Sequence, residues 1–212
     1  MTSPVTRIEQ LMRMAPVIPV LVIDDVAHAV PIAMALVAGG LPVLEVTLRT
    51  ASALAVIREM KQVPGAVVGA GTVLNEHALD DALKAGSEFI VSPGLTDSLA
   101  KAAIAAGAAF LPGVATAADV MRGLDHGLDR FKFFPAEANG GIRALKAIAA
   151  PFGSARFCPT GGITLASAPA WLALDAVLCC GGSWLVGANS SGGPPDVAAI
   201  EAAARAAAAL AR

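Results

Sequence analysis

At 212 residues, with a formal net charge of −2, the chain has the length of one α/β barrel and is too short for two full domains. Hydrophobic residues make up 56% and charged residues 15%, a globular composition without a basic field for nucleic acid or anionic membrane. The few aromatics do not alternate with Lys or Arg as a base-stacking surface requires, so neither nucleic acid nor membrane is an expected partner.

Residues 1–14 carry charges at Arg7, Glu9 and Arg13 and lack the continuous apolar core of a signal peptide. The most membrane-like run, 102–118, is interrupted by Gly107 and by Pro112-Gly113, and falls short of the ~20 apolar residues of a spanning helix. Cys158, Cys179 and Cys180 lie in apolar, strand-like surroundings without metal-ligand spacing, and adjacent cysteines are poorly placed for a disulfide. They read as buried thiols of a reducing compartment, and the expected location is cytoplasmic.

In chain order, a short amphipathic helix at 7–14, apolar at Ile8, Leu11 and Met12, precedes a strand at 17–23. Asp24 or Asp25 caps a helix at 26–38, with Pro31 in its first turns and Gly39-Gly40 ending it. The unit then recurs as strand 43–48 with helix 51–62, strand 66–69 with helix 75–85, and strand 88–92 with helix 96–106. It continues as strand 109–111 with helix 116–124, strand 130–134 with helix 142–150, and strand 156–159 with helix 165–172. Strand 176–180 and an Ala-rich helix at 196–211 complete the set, joined by a Ser, Gly and Pro loop at 189–195. Eight such units with a period of about 25 residues, and strands too uniformly apolar to face water, predict a closed (β/α)8 TIM barrel. One domain over 1–212 is expected, with an open doubly wound sheet as the alternative.

In a barrel, chemistry sits at the C-terminal ends of the strands. In Arg130-Phe131-Lys132-Phe133-Phe134, alternation places Lys132 with Arg130 and Phe134, opposite Phe131 and Phe133, which face the helices. A strand lysine is salt-bridged, reaches water, or sheds its proton and becomes a nucleophile. On 43–49, Glu45, Thr47 and Arg49 share one parity. They read either as an interior Glu–Arg pair or as an acid/base with an anion clamp. Strand three ends in Gly69-Ala70-Gly71-Thr72, a tight turn or a close backbone approach to a ligand. Ser92-Pro93-Gly94 and Pro112-Gly113 are turn chemistry first and pocket wall second. Gly161-Gly162 and Gly181-Gly182-Ser183 follow the last two strands, where barrels build phosphate sites from backbone amides. His28, His77 and His126 are scattered and read as surface residues, so no metal site is expected.

Five motifs occur in order: Leu44-Glu45-Val46-Thr47-Leu48-Arg49-Thr50, Val68-Gly69-Ala70-Gly71-Thr72-Val73, Ser92-Pro93-Gly94, Phe131-Lys132-Phe133-Phe134-Pro135-Ala136-Glu137 and Pro159-Thr160-Gly161-Gly162-Ile163. Together, over about residues 17–185, they resemble the class I 2-keto-3-deoxy-6-phosphogluconate (KDPG) aldolases, which also often cleave 4-hydroxy-2-oxoglutarate. The resemblance implies a homotrimer, a helix across the bottom of the barrel, and neither metal nor organic cofactor. It assigns imine formation to Lys132 and general acid/base work to Glu45. It assigns keto-acid binding to Arg49 and Thr72, a lining role to Pro93, and contact with the substrate chain to Thr160; Phe134, on the Lys132 side of its strand, is expected to face the site. Phosphate falls on Gly161, Gly162, Gly182 and Ser183. The hydroxyl at Thr160 favours the gluconate over the galactonate epimer. Where some relatives carry an arginine at the end of strand one, this chain has Val22-Ile23-Asp24, a departure that bears on any phosphate contact there. The alternatives are a phosphate-binding barrel isomerase or decarboxylase, which needs no neutral lysine, and a non-catalytic sugar-phosphate sensor.

Overall fold

The computed structural model describes residues 4–186 and 193–211. The chain runs α1 (Pro4–Met14), β1 (Val17–Leu21), α2 (Ala29–Ala38), β2 (Val43–Thr47), α3 (Ala53–Met60), β3 (Val67–Gly71), α4 (Glu76–Lys84), β4 (Ile90–Val91) and α5 (Asp97–Ala105). It continues β5 (Phe110–Leu111), β6 (Gly113–Val114), α6 (Ala117–Asp125), β7 (Arg130–Phe133), α7 (Gly141–Ala149), β8 (Arg156–Pro159), α8 (Ala168–Leu172), β9 (Cys180–Gly182) and α9 (Val197–Ala208).

The strands pair in parallel. One sheet has the order β5-β4-β3-β2-β1-β9 and the other β6-β7-β8. The single strand expected at 109–111 is therefore two short pieces, β5 and β6, flanking Pro112. Proline has no amide to give the ladder, but its carbonyl accepts the Lys132 amide at 2.8 Å and carries the run on to β7. A parallel bridge between Thr160 and Gly181 joins the end of β8 to β9.

Helix starts follow local chemistry. The side chains of Asn75, Thr96, Thr116 and Asp196 each accept an amide of the first turn, satisfying donors that the helix itself leaves unpaired. Two prolines move starts from where periodicity puts them. Asp25 caps only a 3-10 turn, and α2 begins at Ala29, not residue 26. Likewise α8 begins at Ala168, not residue 165. In both cases the later start leaves the proline, Pro31 or Pro169, in the first turn, where its missing amide costs no hydrogen bond. The last strand also shifts, from 176–180 to Cys180–Gly182, because the ladder with β1 fixes it through Val17↔Cys180, Ile18↔Gly181 and Pro19↔Gly182. Only part of the loop expected at 189–195 lies within the described residues.

Strand alternation divides the core into two layers. Leu44 and Val46 of β2 and Phe131 and Phe133 of β7 join Leu36, Ile57, Leu79, Leu99 and Trp171 from the helices, so the two phenylalanines face the helices as expected. Val43, Phe89, Leu111 and Cys158 belong to a second cluster with Ile8, Leu11 and Met12 of α1. Leu11 and Met12 are fully buried, each stabilising the fold by about 1.5–3 kcal/mol. The three cysteines are buried and form no disulfide, and burial raises the Cys180 thiol's pKa well above its ordinary value, with Cys158 adding to the effect. No helix among the described residues is long and apolar enough to cross a membrane.

Ion pairs fasten α1. Arg130 Nε and Nη2 donate to Glu9 Oε2 at 3.1 and 2.6 Å, and Arg13 Nε donates to Glu9 Oε1 at 2.8 Å. The Arg130 hydrogen bonds, and then that from Arg13, hold the Glu9 carboxyl below its usual range. A depressed folded pKa stabilises the protein above the unfolded value of about 4.3, and that contribution is lost as pH falls through the folded pKa. Glu9→Gln is expected to lower unfolding free energy by about 1–2 kcal/mol at pH 7, with the difference from wild type fading in acid. Urea titrations across that range check this; coincident curves at pH 7 would refute it.

Candidate active site

Lys132 of β7 and Glu45 of β2 occupy strand parities opposite to the helix-facing residues, and they meet. Lys132 Nζ donates to Glu45 Oε1 at 3.0 Å, with the residues 5% and 3% exposed. Removing two charges from water costs several kcal/mol per ion, which makes such a pair a poor device for stability and a good marker of function. The Phe134 ring lies beside it, its centroid 5.2 Å from Nζ.

Glycines make the space. Glu45 and Thr47 of β2 stand opposite Gly69 and Gly71 of β3. A Cβ on Gly71 would collide with the Glu45 carboxylate, and one on Gly69 with the Phe89 ring. Gly113 faces Lys132 across the β6–β7 ladder, and its missing Cβ admits the Pro93 carbonyl. Gly181 similarly makes room for the Thr160 side chain. Sequence reading takes the strand-three glycines as a turn or a ligand approach and misses that Gly71 seats the carboxylate.

Thr72 has a φ of +58°, a left-handed conformation that is a genuine outlier for a β-branched residue and stores strain. Backbone bonds hold it from both sides: Leu48 donates to the Gly71 carbonyl at 2.8 Å, and Val73 to the Val91 carbonyl at 3.1 Å. Arg49 lies past the end of β2, exposed, without a carboxylate partner among the described residues. It is therefore not the interior partner of Glu45 that the strand alternation allows; that partner is Lys132. Thr47 is structural, its hydroxyl donating to the Leu21 carbonyl at 2.9 Å. Pro93 is half-buried, in a turn closed by Ser92 Oγ donating to the Gly94 carbonyl at 2.7 Å. Thr160 is 6% exposed, and its hydroxyl makes two long contacts within its own strand end, donating to the Cys158 carbonyl at 3.4 Å and lying 3.8 Å from Cys158 Sγ.

The Thr160–Gly181 bridge sets the two glycine turns side by side. Gly161 and Gly162 have φ of +105° and +81°, conformations that L side chains rarely adopt. Among the described residues the Gly162 and Ser183 amides donate to no backbone acceptor. Asp24 and Asp25, beyond β1, are exposed and acidic. His77 is at the surface as expected, but the His28 and His126 side chains are only 23% and 17% exposed. His126 turns from the end of α6 onto Asp97 of α5, 3.1 Å away, which covers its ring. No group of three or more His, Cys, Asp and Glu suited to a metal occurs among the described residues.

A buried primary amine within hydrogen-bond reach of a carboxylate, on the inner faces of parallel strands with helices outside, is an arrangement of α/β proteins in which an amine can form an adduct with a carbonyl. The family model for KDPG and KHG aldolase matches residues 8–203. A 2-dehydro-3-deoxy-phosphogluconate aldolase of Zymomonas mobilis is 64% identical over 205 residues, covering 97% of each chain. A crystal structure of the 2-keto-3-deoxy-6-phosphogluconate aldolase of Zymomonas mobilis with 3-phosphoglycerate matches with a TM-score of 0.95 and 63% identity, over 98% of each chain. The Legionella pneumophila KDPG aldolase, with pyruvate captured as a covalent carbinolamine intermediate, matches with a TM-score of 0.90 and 39% identity, over 98% of this chain and 99% of that one. The chain belongs to the KDPG and KHG aldolase family.

Proposed function

We propose that the protein is a class I aldolase that cleaves 2-dehydro-3-deoxy-6-phosphogluconate to pyruvate and glyceraldehyde 3-phosphate, and 4-hydroxy-2-oxoglutarate to pyruvate and glyoxylate. The observation that carries this reading is the buried 3.0 Å contact between Lys132 and Glu45. Glu45 takes the Nζ proton, the amine attacks the C2 ketone, and Glu45 returns the proton to the carbinolamine hydroxyl, which leaves as water to give a protonated imine and a carboxylate again ready to act as base. Glu45, directly or through a water, then takes the C4 hydroxyl proton. The C3–C4 bond breaks with its electrons flowing to the imine nitrogen, and the aldehyde leaves. Glu45 returns a proton to C3 of the enamine, and hydrolysis frees pyruvate and Lys132. The carbinolamine captured in the Legionella relative supports the amine route. Because the imine is the electron sink, this route uses neither metal nor organic cofactor.

Arg49 binds the keto-acid carboxylate with Thr72, Pro93 and Phe134 line the site, and the Thr160 hydroxyl contacts the substrate chain. Gly161, Gly162, Gly182 and Ser183 hold the phosphate, whose binding energy positions the reacting atoms from a distance. The Gly162 and Ser183 amides, which donate to no backbone acceptor among the described residues, support that assignment. Asp24 and Asp25 argue against a phosphate contact from the end of β1.

At the level of the whole molecule, the reading is a single (β/α)8 barrel domain over 1–212. Closure is supported by the Pro112 and Thr160–Gly181 links between the two sheets, and the packing of α1 on inner strand residues supports its place across the bottom. Family likeness supports a homotrimer, and buried cysteines outside any disulfide suit the cytoplasm. A coupled pyruvate assay on both substrates tests the function. Pyruvate release is expected from each, with the lower KM for the phosphorylated compound; release from neither by folded protein would overturn the proposal.

A further inference from the structure

We infer that Glu137 is a positioning residue that fixes the Gly161–Gly162 turn and so sets the preference for phosphorylated over unphosphorylated substrate. The inference rests on the phosphate assignment above. Glu137 holds that turn in three ways. Its amide donates to the Gly161 carbonyl at 3.1 Å, next to the Ala136 amide, which donates to the Thr160 carbonyl at 2.8 Å. Its stem lies against Gly162, where a Cβ would come within 2.8 Å of both Glu137 Cβ and Cγ. Its carboxylate accepts from Trp171 Nε1 of α8 at 3.0 Å.

The third contact explains the side chain. Trp171 is fully buried, with its ring 6.3 Å from that of Phe133, the neighbour of Lys132 on β7. A buried indole N–H needs an acceptor, and Glu137 supplies it from the loop that follows β7. One carboxylate thus ties that loop to α8, and the Gly161–Gly162 turn, which leads from β8 towards α8, is held between them. Two successive glycines without Cβ atoms restrict the backbone little, so the turn depends on such contacts to hold its positive-φ conformation. Asn139 anchors the far side of the loop, its Nδ2 donating to the Ala115 carbonyl at 2.8 Å. The turn contacts phosphate at one end of the substrate, remote from the bond that breaks. Loosening it therefore weakens binding of the phosphorylated substrate and leaves chemistry on the unphosphorylated one intact.

Steady-state kinetics on both substrates, with inorganic phosphate as inhibitor of 4-hydroxy-2-oxoglutarate cleavage, test this. Glu137→Ala is expected to raise KM for the phosphorylated substrate, and Ki for phosphate, about five- to tenfold. Its kcat and KM for 4-hydroxy-2-oxoglutarate are expected to stay within about twofold. Glu137→Gln keeps an acceptor for the indole and should retain wild-type KM, whereas Trp171→Phe removes the donor together with part of the indole's volume and should raise KM for the phosphorylated substrate in the same direction as Glu137→Ala. Equal losses on both substrates, or an unmoved KM for the phosphorylated one, would overturn the inference while leaving the phosphate site standing. Wild-type protein that shows no preference for the phosphorylated substrate and no inhibition by phosphate would overturn the phosphate assignment and this inference with it.

Discussion

Lys132→Ala is expected to abolish pyruvate release, by about 10³-fold or more, because no other described amine stands beside the Glu45 carboxylate and every later step needs the imine. The variant carries a structural cost. Glu45 is 3% exposed, and stripping its partner leaves a buried carboxylate unpaired, a loss of about 3–5 kcal/mol if it stays charged. A folded but inactive protein is therefore best shown together with the double variant Lys132→Met, Glu45→Gln, which keeps the volume of both side chains without charge. The double variant should melt cooperatively and release no pyruvate. Turnover by Lys132→Ala within about tenfold of wild type would refute the assignment.

Glu45→Gln should separate the two halves of the chemistry. Glutamine has the shape of glutamate, fits the space left by Gly71, and still offers an oxygen near Lys132 Nζ, but it cannot take a proton. Imine formation with pyruvate is expected to survive at a reduced rate. Deuterium exchange at the pyruvate methyl, which needs a base at C3, should fall by about 10²-fold or more. Proton NMR of pyruvate in heavy water follows the exchange, and an unchanged rate would move the acid/base role to another group.

Much of this site was legible because strands expose their parity. Alternation on β2 and β7 put Glu45 and Lys132 on inner faces, and ordered motifs along the chain pointed to the family. Caps were equally plain, since Asn75, Thr96, Thr116 and Asp196 act locally and need no tertiary partner. What stayed hidden depends on pairs far apart in sequence. Alternation allowed Arg49 as the partner of Glu45 and could not say that the ladder would bring Lys132 to it instead. Gly71 is a glycine because of a side chain on a neighbouring strand, and a turn signal looks the same in either case. The bond between Glu137 and Trp171 joins residues 34 positions apart, with nothing local to announce it. The position of β9 was set by its ladder with β1 against the weak strand preference of two glycines, so local propensity put it too early.

Lys132 is the amine expected to form the imine. Borohydride reduction of the wild-type protein in the presence of pyruvate, followed by peptide mass mapping, tests it directly. A single pyruvate adduct on the peptide carrying Lys132, absent from Lys132→Ala, is the expected result; an adduct on any other lysine, or none, would contradict it.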